Sequence, residues 1–284
     1  MSNEVVKYHN DLNTVPMRTW RAEEMNFFFA IITKLKEQGS KEIHFDKKGL
    51  AELASYSIEH NKRFKDIIEE LGKKIQQIYY IERTSNSFEI MNLFQRFKVN
   101  WNDDLSEMEA IIKVTEEFEY IVNQLNVEFT SFELVEFTQI KSTYAKTMYR
   151  LLKQWRTIGK KEYNIQELRR LLDTPESYGI SDIDKRAIAP IKKELPGFFR
   201  NLKVKKVKSN TRGTPVTGYV FTWKPEKTTP YDPQKYEKKG KDKMIRTETL
   251  PDWVGQQSTE DEPIDPEVEK EFNEKLKHIR NNKK

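Results

Sequence analysis

Between residues 142 and 155 the side chains of Tyr144, Met148, Leu151, Leu152 and Trp155 recur at helical spacing, while Lys146, Arg150 and Lys153 fall outside that stripe. The pattern predicts an amphipathic helix with a basic flank, the first helix of a small domain. A second, short helix is expected from Tyr163 through Leu168, Leu171 and Leu172, followed by a turn at Thr174, Pro175 and Gly179. A third is opened by a capping box in which Ser181 bonds forward and Asp184 reaches back, and it turns Ile183, Ala187, Ile188, Ile191 and Leu195 inward. Pro190 lies inside this helix and predicts a kink, because an interior proline loses a hydrogen bond and costs about 3 kcal/mol. Two alternating runs, 202–207 and 216–223, then predict strands joined by the polar loop 208–215. Three helices followed by a β-hairpin, in that order, make a winged helix-turn-helix.

The first half of the chain carries the same order once more. Met25, Phe28, Phe29, Ile32 and Leu35 predict a helix over 22–37 that stops at Gly39. A short strand at 42–45 and a helix at 47–54 follow, and Ser57 is placed to cap a third helix running to Gly72 with Phe64, Ile67, Ile68 and Leu71 inward. The runs 78–81 and 88–99, separated by the turn-rich residues 84–87, predict a hairpin that reads as the wing. A further strand is expected at 109–115, a helix or strand at 116–125, and a helix at 131–137. The fold class is α+β, with two tandem winged helix-turn-helix domains and a disordered C-terminal tail. The segments are an arm (1–21), a first winged helix (22–126), a second (127–223) and the tail (224–284). No residue-level repeat relates the two halves, so the duplication is one of architecture.

Charge is distributed unevenly over these segments. Lys and Arg number 17 against 21 Asp and Glu in residues 1–126, 19 against 10 in 127–223, and 14 against 14 in 224–284. The positive surplus lies in the second predicted domain, where it forms a local field that attracts a polyanion. The acidic first half, with its apolar strands, is instead suited to holding another copy of itself. The tail carries six of the eleven prolines among many charged and polar residues, a composition that cannot bury enough apolar surface to order itself. Within it, Val268, Phe272 and Leu276 allow a helix at 266–277. There is no cysteine, which excludes disulfides, thiol catalysis and cysteine-based zinc sites. With no signal-like start and no run of eighteen apolar residues, a soluble cytoplasmic protein with no membrane partner is expected.

The candidate chemistry is binding. On the outer face of the third helix of the second domain, Lys185, Arg186, Lys192 and Lys193 can meet phosphates or guanine edges, and Ala189 is small enough to touch a thymine methyl. Lys208 and Arg212 in the following loop can run along the phosphate backbone or enter the minor groove. In the first domain, Lys62, Arg63 and Lys65 lie near the start of the corresponding helix beside His60. No Gly-rich phosphate loop ending in Lys-Ser/Thr is present, and His9, His44, His60 and His278 lack the close spacing of metal ligands. Asp103 and Asp104 read as a solvated turn. No enzymatic activity, cofactor or metal is expected.

Several segments together resemble a known family. YAKTMYRLLKQW at 144–155, IQELRRLL at 165–172 and IDKRAIAPIKKE at 183–194 resemble the theta-type plasmid replication initiators that bind iterons, and VKYHNDLN at 6–13 is similar to members from low-GC Gram-positive bacteria. The resemblance covers about residues 5–223, and it rests on the order and spacing of the segments together. It implies that the second winged helix docks Lys185, Arg186, Lys192 and Lys193 in the major groove of directly repeated double-stranded origin DNA. It also implies weaker contacts by Lys62, Arg63 and Lys65, dimerisation through the first domain, initiation as a monomer and repression of its own gene as a dimer. A host replication initiator and the replicative helicase are the implied partners. A winged-helix transcriptional repressor without a replication role is the alternative reading, and a primase or nuclease of unfamiliar type is a third.

Overall fold

The structure is a computed structural model that describes residues 4–36, 38–83, 85–116, 118–123, 125 and 128–227. The tail from 228 onward, including the helix expected at 266–277, lies outside them.

The N-terminal arm forms strand β1 (Val5–His9) and a 3-10 turn over Asn10–Thr14. Helix α1 (Ala22–Leu35) then begins where the Glu24 carboxylate accepts the backbone N–H of Arg21 at 2.6 Å. The first winged helix continues with β2 (Ile43–Asp46), α2 (Lys47–Leu53) and α3 (Asn61–Ile75). A hairpin of β3 (Tyr79–Arg83) and β4 (Phe88–Asn92) comes next, and then β5 (Phe94–Trp101) and β6 (Met108–Val114). Its antiparallel sheet has the order β2-β6-β5. After the short α4 (Glu119–Val122), β7 (Phe129–Glu133) pairs antiparallel with β1, and α5 (Leu134–Gln139) follows.

The second winged helix consists of α6 (Thr143–Lys153), β8 (Lys160–Asn164) and α7 (Ile165–Leu171), then α8 (Ile180–Ile183), a π turn over Asp184–Ile188 and α9 (Ala189–Glu194). Strands β9 (Lys203–Lys208) and β10 (Val216–Thr222) close it, with sheet order β8-β10-β9. Strand for strand this is the topology of the first domain, and the β3–β4 hairpin is the extra piece.

Several local expectations change. The hairpin of residues 79–92 is a separate two-stranded sheet, and the wing is β5–β6. The run 88–99 is broken at Leu93, which is fully buried and donates its N–H to the carbonyl of Ile78. Helix α3 starts at Asn61, beyond the reach of a Ser57 cap. Residues 129–133 are extended because β1 supplies them with a partner, so the helix expected at 131–137 begins at Leu134. Tyr163 belongs to strand β8, and the Asn164 side chain caps α7 by accepting from the N–H of Glu167 at 2.8 Å. Finally, residues 224–227, assigned by composition to the tail, are fixed in place. Lys224 and Glu226 donate their N–H groups to the carbonyls of Arg200 and Arg156. Pro225 also packs over Gly159 (φ +74°), where a Cβ would come within 2.6 Å of the proline ring.

Helix α6 joins the two winged helices. Of its apolar stripe Met148, Leu151 and Leu152 are buried and Tyr144 and Trp155 partly so, but the basic flank is buried as well, with Lys146 and Arg150 fully buried and Lys153 nearly so. Lys146 Nζ donates to Asn26 Oδ1 of α1 (2.6 Å) and to the Phe137 carbonyl (2.5 Å), and lies over the Phe137 ring. The Arg150 guanidinium donates to the Leu12 carbonyl at 3.4 Å and rests on the Phe29 ring. Lys153 meets Glu226 at 2.8 Å and Glu136 at 3.3 Å. Beside them an aromatic chain passes from Phe29 through Phe132, Phe137 and Tyr149 to Phe199 and Trp223. The two domains therefore share one core.

Burial pushes the Lys146 ammonium down from the ordinary lysine value to about 7. From that value up to the unfolded one, the unfolded chain holds a proton that the native chain has released, so this group makes the native state more stable as pH rises through the window. Urea unfolding at about pH 7 and about pH 9.5 is expected to show that rise, flattened in Lys146→Met. Equal slopes in the two proteins would contradict the assignment.

Candidate nucleic-acid interface

The exposed surface of the second winged helix is set by the segment from α8 to α9. Asp182 Oδ2 accepts the N–H of Gly179 at 3.2 Å, so the helix is capped one residue pair earlier than the expected box of Ser181 and Asp184. The irregularity expected at Pro190 takes the form of a π turn before it, in which the Ala189 N–H donates to the Asp184 carbonyl five residues back. Pro190 thereby occupies the first turn of a new helical segment, where a missing N–H costs little. The apolar face is kept, with Ile183, Ala187, Ile188, Ile191 and Leu195 buried. Lys185, Arg186, Ala189, Lys192 and Lys193 are all exposed on the other side. The five candidates on this helix are thus brought onto one surface.

Asp184, freed from capping, has a different task. Its carboxylate accepts from the Tyr219 hydroxyl of β10 at 2.9 Å and pairs with Lys206 of β9, which ties the wing to the start of the π turn. Burial and this bond to a carboxylate push the Tyr219 hydroxyl pKa up. Lys208 and Arg212 are exposed, at the end of β9 and in the wing loop respectively. The loop is braced by Ser209, whose N–H meets the Pro215 carbonyl and whose hydroxyl meets Thr211. The reading of the sequence passed over Lys203, Lys205 and Lys206, although the KVKKVK run of β9 marked them. Lys206 serves the wing tie. Lys203 and Lys205 alternate with Val204 and so lie on the opposite face of the sheet from it.

In the first winged helix the basic cluster is more occupied. Lys62 and Arg63 are exposed at the start of α3, but Arg63 lies 3.5 Å from Glu23 and Lys65 is 3.3 Å from Glu69. Further along the same helix, Lys73 and Lys74 are paired with Glu70 and Glu24. Lys47 ties this wing in place, donating to Asn61 Oδ1 at 2.7 Å and to the carbonyls of Leu105 and Ser106 in the wing turn. Asp104 belongs to that turn, where bonds from the hydroxyl and N–H of Ser106 hold its carboxyl below the usual value. No cluster of potential metal ligands occurs among the described residues, and no helix among them is long and apolar enough to cross a membrane.

Two winged helices, one presenting an uncovered basic face, define a DNA-binding class of protein. The sequence pattern described as "Initiator Replication protein, WH1" matches residues 5–153, and the one described as "Initiator Rep protein, WH2" matches residues 164–223. The chain belongs to this family of replication initiator proteins. It is 30% identical over 228 residues to a "Probable replication protein rep" of Bifidobacterium longum (strain NCC 2705), covering 78% of this chain and 73% of that protein. Its fold is also similar to that of the Pi initiator protein solved in complex with iteron DNA. That match has a TM-score of 0.58 and 15% identity, and covers 78% of this chain and 98% of the other.

Arg186→Ala and Lys193→Ala separate two kinds of contact. A side chain that touches a base edge is expected to cost about 1–3 kcal/mol on its own site and to relax specificity, whereas a phosphate contact weakens binding to all sequences alike. Titrating specific and scrambled duplexes with each variant checks this, and unchanged binding in both would remove this helix from the interface.

Proposed function

We propose that the protein initiates replication of a plasmid by binding directly repeated double-stranded origin sequences, with the second winged helix (127–223) as the main reader. The observation that carries this is the exposed face of Lys185, Arg186, Ala189, Lys192 and Lys193 on the third helix of a winged helix in a replication-initiator family. Lys208 and Arg212 would follow the backbone from the wing. Lys62, Arg63 and Lys65 in the first domain would add weaker contacts, weaker because two of the three already face a carboxylate. Affinity then comes mostly from phosphate contacts and counterion release, and specificity from a few base contacts. The protein works by binding, without catalysis of its own, in the cytoplasm. A host initiator and the replicative helicase are its proposed partners once the origin is occupied.

The first winged helix also serves self-association in this reading, and the dimer represses the protein's own gene. The β3–β4 hairpin supports this. Tyr79, Phe88 and Ile90 expose 53%, 64% and 56% of their surface, and the strand register sets Tyr79, Ile90 and Phe88 along one face. A two-stranded sheet with an apolar face is suited to packing against its own copy.

Two measurements test these statements. Across a salt series, stepwise complexes on a duplex of direct repeats taken from beside the protein's own gene are expected to survive moderate salt, while binding to a scrambled duplex of equal length falls steeply. Equal salt-sensitive binding to both would overturn repeat recognition. In sedimentation, Ile90→Lys is expected to shift the protein toward monomer while leaving its affinity for one repeat unchanged, and an unaltered dimer fraction would exclude the hairpin.

A further inference from the structure

Among the cations on the third helix of the second domain, Arg186 is held differently from the rest. Its guanidinium carbon lies 5.3 Å from the centroid of the Tyr178 ring. Its Nε lies 3.6 Å from Asp182 Oδ1, one helical turn earlier. Both supports are themselves fixed. Asp182 is engaged through its other oxygen by the Gly179 N–H, and the Tyr178 carbonyl accepts from the Arg169 guanidinium. Even so, the Arg186 side chain remains 58% exposed. By contrast, no carboxylate or ring among the described residues holds Lys185, Lys192 or Lys193.

An arginine on a surface ordinarily samples many rotamers, and ordering it on binding costs free energy. Here the ring lies beside the guanidinium and the carboxylate is nearest its Nε. The two terminal nitrogens make no hydrogen bond among the described residues and remain a pair of donors on a side chain that is more than half exposed. That pair matches the O6 and N7 acceptors on the major-groove edge of guanine. The lysines, as mobile point charges, suit phosphates. We propose that Tyr178 and Asp182 are positioning residues that aim Arg186 at a guanine in each repeat, which makes Arg186 the main discriminating side chain of this helix. The inference rests on the proposed entry of this helix into the major groove.

The test uses the full-length protein and a repeat duplex in which each guanine is replaced in turn by 7-deazaguanine, which lacks the N7 acceptor. At one guanine per repeat the wild-type protein is expected to lose about tenfold in affinity. That loss disappears in Arg186→Ala, because the contact is already gone. Tyr178→Ala and Asp182→Asn, which both keep Arg186, are expected to reduce the loss to less than about threefold while leaving the salt slope unchanged. Tyr178→Phe keeps the ring and should retain the full loss. Asp182→Asn also keeps an acceptor for Gly179, so it remains informative if Tyr178→Ala fails to fold. Full sensitivity to the analogue in both Asp182→Asn and Tyr178→Ala would overturn the positioning role. Absence of any guanine sensitivity in the wild-type protein, or its persistence in Arg186→Ala, would instead overturn the underlying reading of the helix.

Discussion

The burial of three basic side chains on α6 is the interaction on which the arrangement of the winged helices depends. A charged group moved from water to the interior costs several kcal/mol unless partners replace its hydration. Each of these groups finds its partners outside α6. Lys146 uses Asn26 of α1 and the Phe137 carbonyl, Arg150 uses the Leu12 carbonyl and the Phe29 ring, and Lys153 uses Glu136 and Glu226. None of these partners belongs to α6. The helix can therefore be buried only when the arm, α1, α5 and residues 224–227 are all in place, which couples the folding of the two domains. The same helix is held at its start by α9, whose Glu194 accepts the N–H groups of Lys141 and Ser142. What binds α9 thus acts on a framework shared with the first domain.

Around this joint the two winged helices reuse one plan with different allocations of charge. In each, one polar side chain ties the wing to the third helix, Lys47 in the first domain and Asp184 in the second. In the first domain, carboxylates meet all but one of the cations considered on α3, and the domain adds an apolar hairpin. In the second, three lysines of the outer face stand clear of carboxylates among the described residues, and the π turn before Pro190 keeps them in register with Arg186 across a break in the hydrogen-bond ladder. Repeating a fold while redistributing its ion pairs leaves one domain with an exposed basic face and the other with an exposed apolar hairpin.

Much of this was legible from the sequence. The helical stripes of α1, α3 and the α8–α9 segment named buried residues correctly, that of α6 did so for Met148, Leu151 and Leu152 with Tyr144 and Trp155 partly buried, and the outer face of the α8–α9 segment came out of the same periodicity. Three features were not legible, each for a physical reason. The basic flank of α6 reads as solvated because periodicity records hydrophobicity and cannot show that distant acceptors will cover a charge. The arm and β7 each lack a strand signal strong enough to stand alone, and they are extended only because they pair with each other. The inserted hairpin reads as the wing of the first domain because two alternating runs flanking a polar turn look the same wherever they sit, and Leu93 marks the break only once its burial is known. Asp182 and Tyr178 likewise become notable only when the turn at Gly179 brings them to Arg186.

The central claim is that one protomer places two coupled winged helices on a single repeat, the second domain reading and the first adding weaker backbone contacts. Hydroxyl-radical footprinting of a duplex containing one repeat, at a ratio where one protomer is bound, tests it most directly. The account predicts two separated protected patches, a strong one that fades with Arg186→Ala and a weaker one that alone fades with Lys62→Ala. A single patch, unchanged by the Lys62 substitution, would contradict it.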